Sequence, residues 1–333
     1  MIELRSDSLV VSCPDVHEDA TCEINFQRTL RIPDDNREYP LPAGLGNFPM
    51  FHVDDYAKGV PASWIDHGGV FLPMYQSEAM WISFGWSGVY PFAVKIAAGK
   101  INAVSGDTWT DGISDSPQDY VVLPEQPWLD GFSVQEGLIR QFVAMPLGEG
   151  YTAEGQITGE EIHGGLQLAI YPMKADYYEK YLRSHFGQRD TLSCMMAADV
   201  CDEAGEMGLA PGGLMQQEIY DDPYGLEAWE TTAMSRCFVH ITNSRVFHDI
   251  TGLRSPTDPP SAKQYKSAGI PWFDYWNDEL KALKGSKILS KLDSVATKKI
   301  KNGKKVKEPL IDIKEAEVVQ LGKRKSTVRD GRF

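Results

Sequence analysis

Alternation of apolar and polar residues marks the first half of the chain. Residues 22–32 set Ile24, Phe26, Arg28, Leu30 and Ile32 on one side of a predicted strand, and the pattern stops at the turn cluster Pro33-Asp34-Asp35-Asn36. Residues 54–66 predict a short irregular helix, weakened by Gly59 and Pro61 and ended by His67-Gly68-Gly69. Strands are then predicted at 70–75, 79–84, 120–123, 151–157 and 166–173. Hairpins over 92–104 and 132–145 turn at Gly99-Lys100 and at Gln135-Glu136-Gly137. After Pro172 the period lengthens. Tyr177, Tyr178, Tyr181, Leu182 and Phe186 predict a helix over 176–186, and a second helix over 195–207 is stopped by Gly208 and Pro211-Gly212-Gly213. Strands at 215–220 and 236–242 follow. Asn243 or Ser244 caps a helix to Thr251, and Ser261 begins another to Ala268. The aromatic run Trp272-Phe273-Asp274-Tyr275-Trp276 precedes a stretch, 295–306, whose Asn302-Gly303 predicts a hairpin between Ile300 and Val306. Leu310, Ile311 and Ile313, then Val318, Val319 and Leu321, extend that strand pattern. The fold expected is a β-rich α+β one. An antiparallel β-sandwich-like body spans 1–172, a smaller α+β portion spans 173–280, and a basic β-patterned segment spans 281–333.

Charge sharpens this picture. Residues 281–333 hold 13 Lys and 3 Arg against 6 Asp/Glu, a balance of +10; the whole chain carries −14, which leaves −24 on residues 1–280. A body of that sign repels nucleic acid and acidic membrane, and a basic segment suits an acidic partner, a second copy of this chain included. The alternative is a solvated tail. Five scattered cysteines suit reduced thiols, and the first residues lack the basic and apolar regions of a secretory leader, so a cytoplasmic location is expected. No apolar window is long enough for a membrane-spanning helix.

Candidate chemistry is sparse. His240 and His248, eight residues apart with Asp249 adjacent, fall outside zinc spacings; Cys194 and Cys201 form no Cys-x-x-Cys pair. No metal and no cofactor is predicted. There is no Gly-x-Ser-x-Gly elbow and no phosphate-binding glycine loop. Asp199, Asp202, Glu203 and Glu206 fall on one face if their segment is helical, either as a solvated stripe or as a docking stripe for basic residues. Lys298, Lys299, Lys301, Lys304, Lys305 and Lys307 are the cationic counterpart. Asp221-Asp222 and Glu160-Glu161 read as solubilising turn residues. Trp128 beside Asp130-Gly131, with Arg140 on the following strand, suggests a ligand-stacking lip or a turn pinned to the core.

The runs Gln126-Pro127-Trp128-Leu129-Asp130-Gly131-Phe132, Arg140 through Gly148, and Gly159-Glu160-Glu161 with Gly164-Gly165-Leu166-Gln167 resemble those of a family of bacterial and fungal β-rich proteins with no assigned activity. The resemblance runs from about Cys22 to Trp276. Some fungal members carry a ubiquitin-like insertion after the central β region, which residues 173–208 of this chain do not repeat. The resemblance implies no mechanism. The function expected is structural or interaction-based, with self-assembly of the basic segment of one copy on the acidic body of another. The alternative is an enzyme or a carbohydrate- or small-ligand-binding protein using a cleft near Trp128.

Overall fold

β-Branched and aromatic residues at alternate positions bury one face of each N-terminal strand, and that burial drives the chain into sheet. The computed structural model describes residues 1–85, 90–185, 205–306, 308, 309 and 311–323. Strands β1 (Ile2–Arg5), β2 (Ser8–Ser12) and β3 (Thr21–Thr29) form an antiparallel meander with Leu9 opposite Ile24 and Val11 opposite Cys22. Short strands β4 (Glu38–Tyr39), β5 (Leu41–Pro42), β6 (Gly44–Asn47) and β7 (Phe51–His52) follow. A 3-10 turn at Asp54–Tyr56 and helix α1 (Ala62–His67) occupy the stretch predicted as one irregular helix, and Gly68 closes α1 at a positive φ.

Next come β8 (Val70–Met74), β9 (Ala79–Gly85), β10 (Phe92–Ala98), β11 (Ile101–Asn102), β12 (Tyr120–Leu123), β13 (Trp128–Leu129), β14 (Gly131–Gln135) and β15 (Leu138–Pro146). Both predicted hairpins form, as β10–β11 and β14–β15. The expected strand at 151–157 is instead helix α2 (Ala153–Thr158). Thr152 Oγ1 accepts a hydrogen bond from Gly155 N (3.1 Å), and Gly159 exits at φ +79°.

The C-terminal half adds β16 (Leu166–Pro172), α3 (Ala175–His185), β17 (Glu206–Gln216), β18 (Ser235–Asn243), α4 (Ser244–Thr251), α5 (Ala262–Ser267), β19 (Trp272–Asn277), α6 (Val295–Lys301) and β20 (Val318–Lys323). Asn243 and Ser261 cap α4 and α5 as expected. Two further expectations are overturned. Residues 195–204 of the predicted helix over 195–207 lie outside the described residues, but Glu206 and Met207 open β17, and the glycines of 208–213 lie inside it, where a missing side chain lets other segments approach: a Cβ on Gly208 would crowd Leu147 and Thr152, and one on Gly212 would crowd Val143. The hairpin over 295–306 is instead α6. Ser294 caps it through Thr297 N (3.2 Å), and Asn302-Gly303 is its exit, with Gly303 at φ +72°.

Ten strands run β1-β2-β3-β9-β15-β17-β18-β16-β10-β12, all antiparallel, within one large sheet. Parallel pairs β8–β18 and β4–β17 join its side. Strands on both sides of residue 172 therefore share hydrogen bonds. A second sheet, β20-β19-β5, takes in the C-terminal strand. Phe26, Phe92, Phe132, Phe142 and Trp229 fill the core. Lys95 is buried among them, with its ammonium held by Asp119 (2.7 Å) and by the carbonyls of Thr110 and Gly112 (both 2.8 Å). These contacts replace its hydration, without which a buried charge is prohibitive. Among the described residues no helix is long and apolar enough to cross a membrane.

Candidate functional site

The described part of the basic segment is folded onto the body, with α6 joined to it at Asp34. Residues 30–34 cross the face of β15 and β17. Gln141, fully buried, donates from Nε2 to Leu30 O (3.0 Å) and accepts from Ile32 N at Oε1 (3.1 Å). Gly213 makes the crossing possible, because a Cβ there would collide with Pro33 O and Ile32 Cγ1. The crossing delivers the Asp34 carboxylate, almost fully buried, to the first turn of α6. Asp34 Oδ2 accepts from Ala296 N (2.7 Å), and Oδ1 lies 3.7 Å from Arg140 Nη1, which also donates to Gly212 O (3.0 Å). Burial pulls the pKa of Arg140 down, and the charges of Asp34 and Asp293 oppose the shift. From α2, Gln156 clamps the approach to α6, donating to Asp293 O (2.9 Å) and accepting from Asp293 N (2.8 Å). Leu289 and Val295 are fully buried beneath.

Above this join lies a cationic rim. Lys301 pairs with Asp293 (2.6 Å), Lys304 with Glu149 (3.5 Å), and Arg31 with Glu308 (3.0 Å). Lys304 also sits over the Tyr151 ring, 5.7 Å from its centroid; Tyr151 first and Glu149 after it raise its pKa. The Lys299 pKa is lowered, first by burial and then by the like charges of Arg31 and Lys304, with Glu308 and Asp34 opposing. Among the described residues the side chains of Lys298, Lys299 and Lys305 make no hydrogen bond or ion pair. Lys307 lies outside the described residues, as do Asp199, Asp202 and Glu203. Glu206 opens strand β17, so no helical face carries it; its half-buried carboxyl bonds Trp64, and burial raises its pKa.

The lip residues part company. Trp128 is half-buried on β13, its ring 6.3 Å from that of Trp81 and 4.9 Å from that of Tyr275. Asp130 is buried. Its Oδ2 accepts from Gln217 Nε2 (2.8 Å) and its backbone N donates to Gln217 Oε1 (3.0 Å); without a cation beside it, burial raises its pKa to about 7. Arg140 belongs to the Asp34 join and shares no hydrogen-bonding partner with Asp130. Sequence reasoning missed Asp34 and Gln141. The glycine pair inside β17 was the cue that another segment passes closely there. Two acidic pairs read as solubilising hold structure. Glu161 accepts from Gly150 N (2.9 Å) and Thr152 Oγ1 (2.6 Å), and Asp222 accepts from Tyr120 Oη (2.6 Å) and Trp229 Nε1 (2.8 Å).

His240 Nε2 lies 3.0 Å from Gly68 O and His248 Nδ1 lies 2.8 Å from Leu253 O. Among the described residues no group of three or more His, Cys, Asp or Glu is placed to hold a metal ion. No family model, no curated protein and no solved structure matches this chain.

Proposed function

We propose that this protein works by association, with the lysines of α6 and the residues after it docking on the acidic body of a second copy. The observation that carries the reading is the charge of Lys298 on α6 and of Lys305 just after it, which meets no ion pair among the described residues, on a segment fixed by buried contacts while residues 1–280 carry −24. Charge of one sign held in fixed positions favours encounter with the opposite sign and costs little ordering entropy on binding. The contact is heterologous, so it closes into a ring or continues as a filament according to its rotation.

Sedimentation velocity of the full chain at low and high salt tests this. Association at low salt should weaken at high salt, because exposed charges are screened over about 8 Å at physiological ionic strength. The double variant Lys298→Glu/Lys305→Glu should remain monomeric at low salt with an unchanged circular dichroism spectrum. A parent protein that is monomeric at both salts refutes the reading, as does a double variant that associates like the parent.

A further inference from the structure

A second surface, independent of the lysines, carries chemistry of another kind. Outward residues of four neighbouring strands fall in register. Gln27 on β3 stands opposite Asn47 on β6 and Trp81 on β9, Asn25 stands opposite Ser83, and Ser83 stands opposite Trp128 on β13. The intervening residues Ile24, Phe26, Ile82 and Leu129 point into the core. Asn25 is buried and Gln27, Asn47, Trp81, Ser83 and Trp128 are half-buried, with the Tyr275 ring beside Trp128 at one side. Gly44 lets the Trp81 indole lie against β6, since a Cβ there would come 2.9 Å from Trp81 Cζ2.

The amides are fixed but not used up. Gln27 Nε2 donates to Asn25 Oδ1 (2.6 Å) and to Asn47 Oδ1. Asn25 Nδ2, Asn47 Nδ2 and Gln27 Oε1 are left with no partner among the described residues, and they are not among the atoms buried from solvent. Buried amides in proteins are normally satisfied by protein groups; here three carboxamides orient one another and keep two donors and an acceptor free. Glu23, opposite Gly85, and Glu125 and Glu218, whose charges act on Tyr275, are the carboxylates near these positions, so the face carries no positive charge.

We propose that this face, with Asn25, Gln27 and Asn47 beside Trp81, Trp128 and Tyr275, binds a neutral oligosaccharide. Sugar rings offer apolar C–H surface to indole and phenol rings, and hydroxyls that give and take hydrogen bonds with carboxamides. The row from Asn47 to Trp128 crosses three strand spacings, about 14 Å, which suits a chain of sugars better than a single one. A nucleotide fits poorly, because no Lys or Arg on these positions would meet its phosphates.

The test uses the full chain, with maltohexaose, cellohexaose, laminarihexaose and N-acetylchitohexaose at low-millimolar concentration as probes, read by tryptophan fluorescence and saturation-transfer NMR. At least one should give a saturable response that Trp128→Ala abolishes and Asn47→Ala weakens about tenfold, equivalent to about 1.4 kcal/mol for one hydrogen-bonding group. Gln27→Ala should act like Asn47→Ala, and these two variants carry the test if Trp128→Ala fails to fold. No saturable response from any probe, or a response unchanged in Asn47→Ala and Gln27→Ala, overturns the proposal. The lysine-reversed variant should bind the same sugar equally well, so this inference stands or falls apart from self-association.

Discussion

Removing the Asp34 carboxylate probes how the basic segment is held. In Asp34→Ala the N–H of Ala296, itself buried, loses its acceptor at 2.7 Å. A buried donor left unsatisfied costs about 1–3 kcal/mol. Arg140 loses a partner at 3.7 Å but keeps Gly212 O, so its share is about 1–2 kcal/mol, below the cost of breaking a close buried pair. The sum is about 2–5 kcal/mol. Asp34→Asn keeps an acceptor for Ala296 N and loses only the charge, and should cost about 1 kcal/mol. Leu289 and Val295 stay buried in either variant, each retaining about 1.5–3 kcal/mol of apolar burial, so the segment should loosen without leaving the body. Urea denaturation gives the total, and amide hydrogen exchange over 289–301 shows where the loss falls. An Asp34→Ala variant that loses less than about 1 kcal/mol, or whose exchange rises evenly across the protein, would refute this account of the join.

Two buried titrating groups should give pH dependences of opposite sign. The folded pKa of Asp130 is raised, so the stability it contributes is full below its unfolded value near 4 and is lost as pH rises to about 7. Asp130→Asn should therefore match the parent at pH 4 and exceed it by about 2–4 kcal/mol at pH 8 in urea unfolding; parallel curves would contradict this. The folded pKa of His240 is depressed to about 4 by burial, so its contribution is full above pH 6.5 and is lost as pH falls through 4. His240→Gln should shrink the fall in parental stability across that window by about 3 kcal/mol, and an unchanged fall would show that other groups cause it. Gly213→Ala should cost at least about 2 kcal/mol, because its Cβ would come 2.4 Å from the backbone carbonyl oxygen of Pro33. A neutral Gly213→Ala in thermal unfolding would show that the crossing segment shifts easily.

What the sequence reveals tracks the distance over which each feature is decided. The hairpins at Gly99-Lys100 and Glu136-Gly137 are readable because turn residue and flanking alternation lie within a dozen positions. Tyr151, Ala153 and Ile157 are apolar at spacings that suit a strand or a single helical turn, and the Thr152 cap settles the matter for helix. Asn302-Gly303 suits a primed hairpin turn and a helix exit equally well. The choice is made by Ser294 and by the burial of Val295 and Ala296, which depends on the distant surface they meet. Asp34 is readable as a turn residue, but its hydrogen-bond partner lies 262 positions away. Trp128 stands out by composition. Its neighbours are Trp81, from the adjacent strand β9, and Tyr275, from the second sheet, and only the tertiary fold brings them together.

The contacts that fold the basic segment use few of its charges. Asp34 bonds a backbone N–H, Gln156 bonds backbone, and Leu289 and Val295 are apolar. Lys281–Asp221 and Lys304–Glu149 do reach the body, but they are solvent-exposed pairs of the kind that contribute about 0–1 kcal/mol. Folding therefore does not explain why the segment carries so many lysines, since its position would survive with most of them neutral. That makes two properties separable in one set of variants. Reversing Lys298 and Lys305 should leave the unfolding free energy from urea denaturation within about 0.5 kcal/mol of the parent while changing the salt dependence of association. If reversal instead unfolds the segment, the lysines serve the fold, and the case for an external acidic partner loses its footing.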